Sequence, residues 1–329
     1  QPRILAIRLH PRNVYAERGT KMEITGVNEK AAVRGSLKVE VLARDGAVVF
    51  TKTISTDLPS GITPLFTETL DTQALQGTYT MKADVSAGDG SPIAENTYDF
   101  DVFASGQLAV PKHRIAVLDP SNSLKPFLKE VGISFVEFSP KIDPTLPVFV
   151  SRTDTKAPEQ RIRFGELATF VKAGGMAVYL QGGGTKTSWG LGESASPLLP
   201  VEARLKQAIG SWTCIPHLVK DHPVFEGLPV NGMMGAVYEN VWAENTLVGV
   251  GGETIVAVIA YDWFPELDKL KRHYYGPGDT WWGADVAVVP HGEGRLILSQ
   301  LRLIENLGKD PVADKILFNL IRYAARDHD

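Results

Sequence analysis

The sequence predicts two domains of different class, an all-β sandwich followed by an α/β unit with a mostly parallel sheet. Three observations predict this. Residues 1 to about 104 alternate apolar and polar side chains in short runs parted by turn residues, with almost no helical period. Residues 104–112, ASGQLAVPK, lose that period and carry Gly and Pro, so they read as a linker. Residues 147–184 then read as strand, helix and strand, the repeating unit of a parallel sheet. The expected domains are 1–106 and 107–329, and a chain of 329 residues suits two domains better than one.

In the first domain, Ile4, Ala6 and Leu9 open the series of strands, and Met22 and Ile24 continue it. Leu37, Val39 and Val41 alternate with charged residues, and Asp45-Gly46 turns the chain into 48–54, a strong hairpin signal. Residues 77–85 and 98–103 form a second pair about the turn Gly88-Asp89-Gly90-Ser91-Pro92. About seven short strands at regular spacing match an immunoglobulin-like sandwich. No chemistry is legible here, and Lys38, Glu40, Lys52, Lys82 and Asp84 read as solvated faces.

In the second domain, 114–118 is a strand, 123–131 a short helix and 135–138 a strand. Val148, Phe149 and Val150 form an apolar run, as in a strand covered on both faces. Ile162, Leu167, Phe170 and Val171 recur at helical spacing, and Gly174-Gly175 ends that helix ahead of the apolar strand 176–180. Residues 185–200 are a long loop. Strands are expected over 238–250 and 254–261, a hairpin over 285–289 and 295–299, and a final amphipathic helix after Asp310-Pro311.

Composition excludes several classes. Hydrophobic residues make up 43% and charged residues 22%, as in a globular chain. A net charge of −4 without a basic run argues against nucleic acid, and no apolar stretch approaches membrane-spanning length. The single cysteine, Cys214, allows no intrachain disulfide. The chain opens at Gln1 without a signal-peptide pattern and reads as a trimmed or partial sequence, so compartment is not legible from its ends.

Three motifs carry a resemblance: FVKAGGMAVYLQGG, HPVFEGLP and GRLILSQLRLIENLGKDPVADKILFNLIRYA. Together they resemble the class I glutamine-amidotransferase-like, flavodoxin-like domain, in the version found toward the C-terminal end of some bacterial family 2 glycoside hydrolases of the β-galactosidase-like type. The likeness covers about residues 112–329, and GTYTMKADVSAGDGSPIAENTYDFDVF is similar to the immunoglobulin-like domains of such enzymes. It implies a sugar-cleaving barrel outside this chain, that barrel as a partner, oligomer assembly or glycan contact as roles, and a periplasmic or secreted location.

The residues themselves offer little catalysis. An amidotransferase needs a cysteine on a tight strand-to-helix turn, a histidine and an acid. Cys214 stands in SWTCIPHLV without a Gly-x-Cys-x-Gly elbow and reads as an inert core residue; Pro216 separates it from His217. His291-Gly292-Glu293 has the His-x-Glu spacing of such sites, but Gly292 and Gly294 suit a hairpin turn. Ser151 and Ser188 lack a Gly-x-Ser-x-Gly elbow. Gly182, Gly183 and Gly184 would let a ligand approach the backbone, without the Lys-Ser/Thr ending of a phosphate loop. No metal-ligand spacing is present, and neither metal nor cofactor is expected.

Parallel strands end on one edge, where such sheets bind ligands. Ser151, Arg152, Asp154, Gln181, Gly182 and Gly183 are therefore expected near Arg302 and Glu305, as a degenerate pocket whose charges pair with one another. All six tryptophans lie beyond residue 188. Trp189, Trp263, Tyr274, Tyr275, Trp281 and Trp282 are the candidates for an aromatic contact surface. Three readings follow: an accessory region of a glycoside hydrolase, a stand-alone hydrolase or amidotransferase-like enzyme, and a carbohydrate-binding module. The missing elbow nucleophile weighs against the second.

Overall fold

A computed structural model describes residues 2–152, 158–181, 193–195, 199–207, 216–261 and 280–326. The chain divides into two compact units, Gln1–Leu108 and Ala109–Asp329. The described residues are mostly β, in antiparallel and mixed sheets.

The first unit is a β-sandwich of eight strands rather than about seven: β1 (Arg3–His10), β2 (Asn13–Tyr15), β3 (Thr20–Asn28), β4 (Val33–Ala43), β5 (Val48–Leu58), β6 (Gly61–Leu70), β7 (Gly77–Ala87) and β8 (Pro92–Phe103). One sheet has the order β1-β3-β6 and the other β2-β8-β7-β4-β5. Pairing is antiparallel except for the short parallel β2–β8 contact. Period-two alternation turns Leu5, Leu9, Met22 and Ile24 of one sheet inward against Val39, Val41, Met81 and Phe100 of the other. The β4–β5 turn closes at Asp45-Gly46, where Gly46 has φ 87° and the Asp45 carboxylate accepts from Ala47 N at 3.0 Å.

The second unit opens with β9 (Ile115–Leu118), α1 (Lys125–Glu130), β10 (Phe135–Glu137), β11 (Val148–Val150), α2 (Pro158–Lys172) and β12 (Met176–Tyr179). It continues through β13 (Glu193–Ala195), β14 (Arg204–Gln207), β15 (His217–Val219), β16 (Gly232–Met233), β17 (Asn245–Val248), β18 (Glu253–Tyr261), β19 (Thr280–His291), β20 (Gly294–Ser299) and α3 (Pro311–Arg326). The path of the sheet is β10-β9-β11-β12-β20-β19-β17-β14-β13, with β18, β15 and β16 branching from β19. From β10 to β20 the neighbours are parallel, and beyond β20 every pairing is antiparallel. Strands β9, β11 and β12 are buried at every position, as their unbroken apolar runs require.

The expected flavodoxin-like α/β domain is not supported. Such a fold covers its sheet with a helix at nearly every crossover. Among the described residues there are three α-helices, one of them only six residues long. The chain passes from β10 to β11 without a helix, and the described residues between β12 and β20 form strands and 3-10 turns.

Local expectations also shift. In α2 the buried positions are Phe164, Leu167 and Val171, whereas Ile162 is 67% exposed. Leu167 and Val171 are buried as expected and Phe170 packs half-buried beside them, but the spacing 164, 167, 171 puts Phe164 rather than Ile162 on that face. The strand expected over 238–250 is only β17, since Ala236–Tyr238 is a 3-10 turn, with the Tyr238 hydroxyl donating to Pro229 O at 2.8 Å. Helix α3 buries Val312, Ile316, Leu317, Leu320 and Ile321. Its start is fixed by Asp310, which accepts from Val312 N at 2.8 Å.

The β19–β20 hairpin tip seats on the end of α2. A methyl group at Gly294 would stand 2.1 Å from Gly175 O and 2.2 Å from Val171 O. Gly294→Ala should therefore cost about 1–3 kcal/mol, since backbone rather than a flexible side chain must move. Urea denaturation of the variant tests this, and unchanged stability would show that the tip does not bear on the helix.

Candidate functional site

The chain leaves β9 toward β10 on one side and returns as β11 on the other, so the strand order reverses between β9 and β11. Carboxyl ends at such a reversal flank a crevice. Asp119 follows β9 there and Ser151 follows β11, both buried. Asp119 Oδ2 accepts from Leu124 N and Lys125 N at 2.9 Å each, and Oδ1 accepts from Ser123 N at 3.0 Å. Ser121 Oγ lies 3.4 Å from Asp119 Oδ1 and 3.5 Å from Ser151 Oγ. Burial works to raise the Asp119 carboxyl, but bonds from the Ser151 hydroxyl and the 123–125 amides outweigh it and hold the group below its ordinary range. The sequence reading passed over Asp119, although Asp-Pro-Ser-Asn-Ser directly after an apolar run is a capping signal.

Further along the same edge, the structure brings together Arg152, Gln181, Arg302 and Glu305. Arg152 Nε donates to Gln181 Oε1 at 3.2 Å, and Nη2 donates to Glu305 Oε2 at 3.3 Å. Arg302 is anchored more deeply: Nε donates to Trp242 O at 2.9 Å and Nη2 to Glu239 O at 3.1 Å, with Glu244 and Glu305 at 3.5 and 3.7 Å. Arg302 thus ties the end of β20 to segment 239–244, a role the sequence did not show. Asp154, Gly182 and Gly183 lie outside the described residues, as do Trp189, Trp263, Tyr274, Tyr275, Ser188 and Cys214.

A second polar group lies in the antiparallel part. His217 Nδ1 stands 2.5 Å from Asp285 Oδ2, with both side chains buried and the His217 ring stacked on Trp242. Burial pushes the Asp285 carboxyl up, and the bond to His217 opposes that rise. The sequence reading considered His217 only beside Cys214; nothing local marks Asp285, 68 residues away, as its partner. His291 and Glu293 stand at the β19–β20 turn, where Glu293 N donates to Lys172 O at 3.0 Å.

Of the aromatic candidates, Trp281 is partly buried with Lys206 Nζ 4.4 Å from its ring centroid, and Trp282 is 56% exposed opposite Ile259 at 44%. Among the described residues no group of three His, Cys, Asp or Glu is placed to hold a metal, and no helix is long and apolar enough to cross a membrane.

No protein-family model matches this chain, and no curated protein does. Similar solved structures include a β-galactosidase from Rahnella sp. R3, at 13% identity over 65% of this chain and 31% of that one, TM-score 0.34. Another is a β-glucuronidase from Bacteroides uniformis, at 11% identity over 55% of this chain and 29% of that one, TM-score 0.27. A third is the C-terminal domain of Wzt, at 15% identity over 30% of this chain and 70% of that one, TM-score 0.26. The chain spans less than a third of the length of these two enzymes. At these TM-scores the likenesses carry no argument about this chain.

Two substitutions separate surface pairing from anchoring. Arg152→Ala should change stability by no more than about 1 kcal/mol, because its ion pair is half exposed. Arg302→Ala should cost about 1.5–3 kcal/mol through lost charge-assisted bonds to backbone carbonyls. Equal effects in chemical denaturation would contradict the anchoring role. A third concerns pH. The carboxyl of Asp119 is depressed in the folded state, so its contribution is present above about pH 4 and lost as pH falls through the folded value. Asp119→Asn should therefore lower stability at pH 7 and flatten the decline below pH 4; a variant keeping the full decline would show that other carboxylates cause it.

Proposed function

We propose that this chain is a non-catalytic accessory region of a bacterial glycoside hydrolase, serving domain positioning, oligomer assembly or glycan contact. One observation carries the non-catalytic part. The described polar groups at the carboxyl edge of the parallel strands are engaged with one another or with backbone: Asp119 with three amides, Arg152 with Gln181 and Glu305, and Arg302 with two carbonyls. A catalytic edge would instead aim polar groups at a common point where a reacting atom could sit.

The link to glycoside hydrolases rests on the likeness of GTYTMKADVSAGDGSPIAENTYDFDVF to the immunoglobulin-like domains of such enzymes and on the β-sandwich that this segment joins; the flavodoxin-like part of the resemblance lends it nothing. The catalytic domain of the parent enzyme is the proposed partner. Trp282 and Ile259, exposed and opposite one another on β19 and β18, are the proposed contact residues.

Purified chain should turn over neither glutamine nor aryl β-galactosides and β-glucuronides. The reading frame on either side of these residues should encode a sugar-hydrolase barrel. Turnover abolished by Cys214→Ala or His217→Ala would overturn the non-catalytic reading, and a frame without such a barrel would overturn the link to a parent enzyme.

A further inference from the structure

The sandwich of the first unit has two unlike sides. On one, β1 and β8 lie against each other, and Asn96 Nδ2 of β8 donates to Leu5 O of β1 at 2.6 Å. On the other, β5 ends one sheet and β6 ends the other, each paired to a single described strand, β4 and β3. Strand β5 is eleven residues long. From Val48 to Thr56 it reads VVFTKTIST, β-branched or aromatic except at Lys52 and Ser55. Such a segment on an open edge is a template for a further strand.

The one charge in that segment stands on the core side. Lys52 is opposite Val39 in the ladder, on the same face as Phe50, Ile54 and Leu58. Val39 is fully buried, and Phe50 and Ile54 pack on the core of the sandwich. Glu68 takes the matching place on β6, opposite the buried Met22 and on the face of Phe66 and Leu70. The two side chains meet across the rim between the sheets, with Lys52 Nζ 2.5 Å from Glu68 Oε2 and 6.0 Å from the Phe66 ring centroid. They remain 47% and 33% exposed, so their heads still reach water. Other features of this side also oppose pairing. Val49 is passed over in the β4–β5 register and Leu65 in the β3–β6 register, a bulge on each edge strand. Pro64 of β6 offers no N–H.

We infer that Lys52, held by Glu68, shuts the β5–β6 edge against strand addition by a second copy of this chain. Full-length antiparallel pairing of β5 with its copy sets Thr53 opposite Thr53 and Lys52 opposite Ile54. The two lysines then become diagonal neighbours on the inner face, about 7–8 Å apart. The added strand would also cover ammonium groups now open to water, a loss that one carboxylate each offsets only in part. Assembly through the first unit is thereby directed to other surfaces.

Lys52→Val in the whole chain tests this, by sedimentation velocity over a range of concentrations and by hydrogen exchange. The average mass of the variant should rise with concentration toward double that of the unsubstituted chain, and amides within 48–58 should gain protection in the associated form. Lys52→Arg, which keeps the charge, should sediment as the unsubstituted chain does. A folded Lys52→Val chain that does not associate overturns the inference. So does association that leaves 48–58 unprotected, or equal association of Lys52→Arg. If circular dichroism shows that the valine variant has lost the fold, Lys52→Thr takes its place, since Thr is a good strand former that removes the charge. Loss of the fold in both would make Lys52 a requirement of the sandwich itself and would also overturn its role as a guard.

Discussion

Strand β19 is bonded along one edge to β20 and then β17, and along the other to β18, so the parallel and antiparallel parts of the second unit are joined through it. Near its middle, the buried His217–Asp285 bond spans from β15 to β19 across β18. Such a pair sacrifices the hydration of both partners, and its attraction only partly offsets that loss. Its value lies in selectivity: a shift of β18 or β15 by one residue would leave a carboxylate in the core without its imidazole.

Beside this pair the same logic works nearer the surface, since Trp242 both stacks on His217 and accepts from Arg302. Arg302 lies near the end of β20, and its guanidinium is held by the carbonyls of Glu239 and Trp242, which fixes segment 239–244 against the sheet. Arg152 and Glu305, each about half exposed, form a weaker pair beside it. Asp119 closes the first turn of α1, and α1 is short enough to need that cap. These engagements rigidify the edge and leave its polar groups turned inward on the chain.

What the sequence determined on its own was whatever local periodicity encodes. Alternation at Leu37, Val39 and Val41, the Asp45-Gly46 turn, the unbroken run Val148-Phe149-Val150 and the stripe of α3 are each legible within a dozen residues, because side-chain period and turn chemistry are properties of neighbours along the chain. The edge cluster of Arg152, Gln181 and Glu305 was legible at one remove, since parallel strands must end together. The tertiary structure alone decided the rest. Phe164 rather than Ile162 turns inward in α2, because the face that Leu167 and Val171 lay on the sheet includes position 164 and not 162. The strands over 254–261, 285–289 and 295–299 were legible, but their antiparallel order and the branch of β18 from β19 depend on partners distant in sequence. Asp285 gained its meaning from an imidazole 68 residues distant, because burial and hydrogen-bond partnership depend on contacts that no local pattern contains.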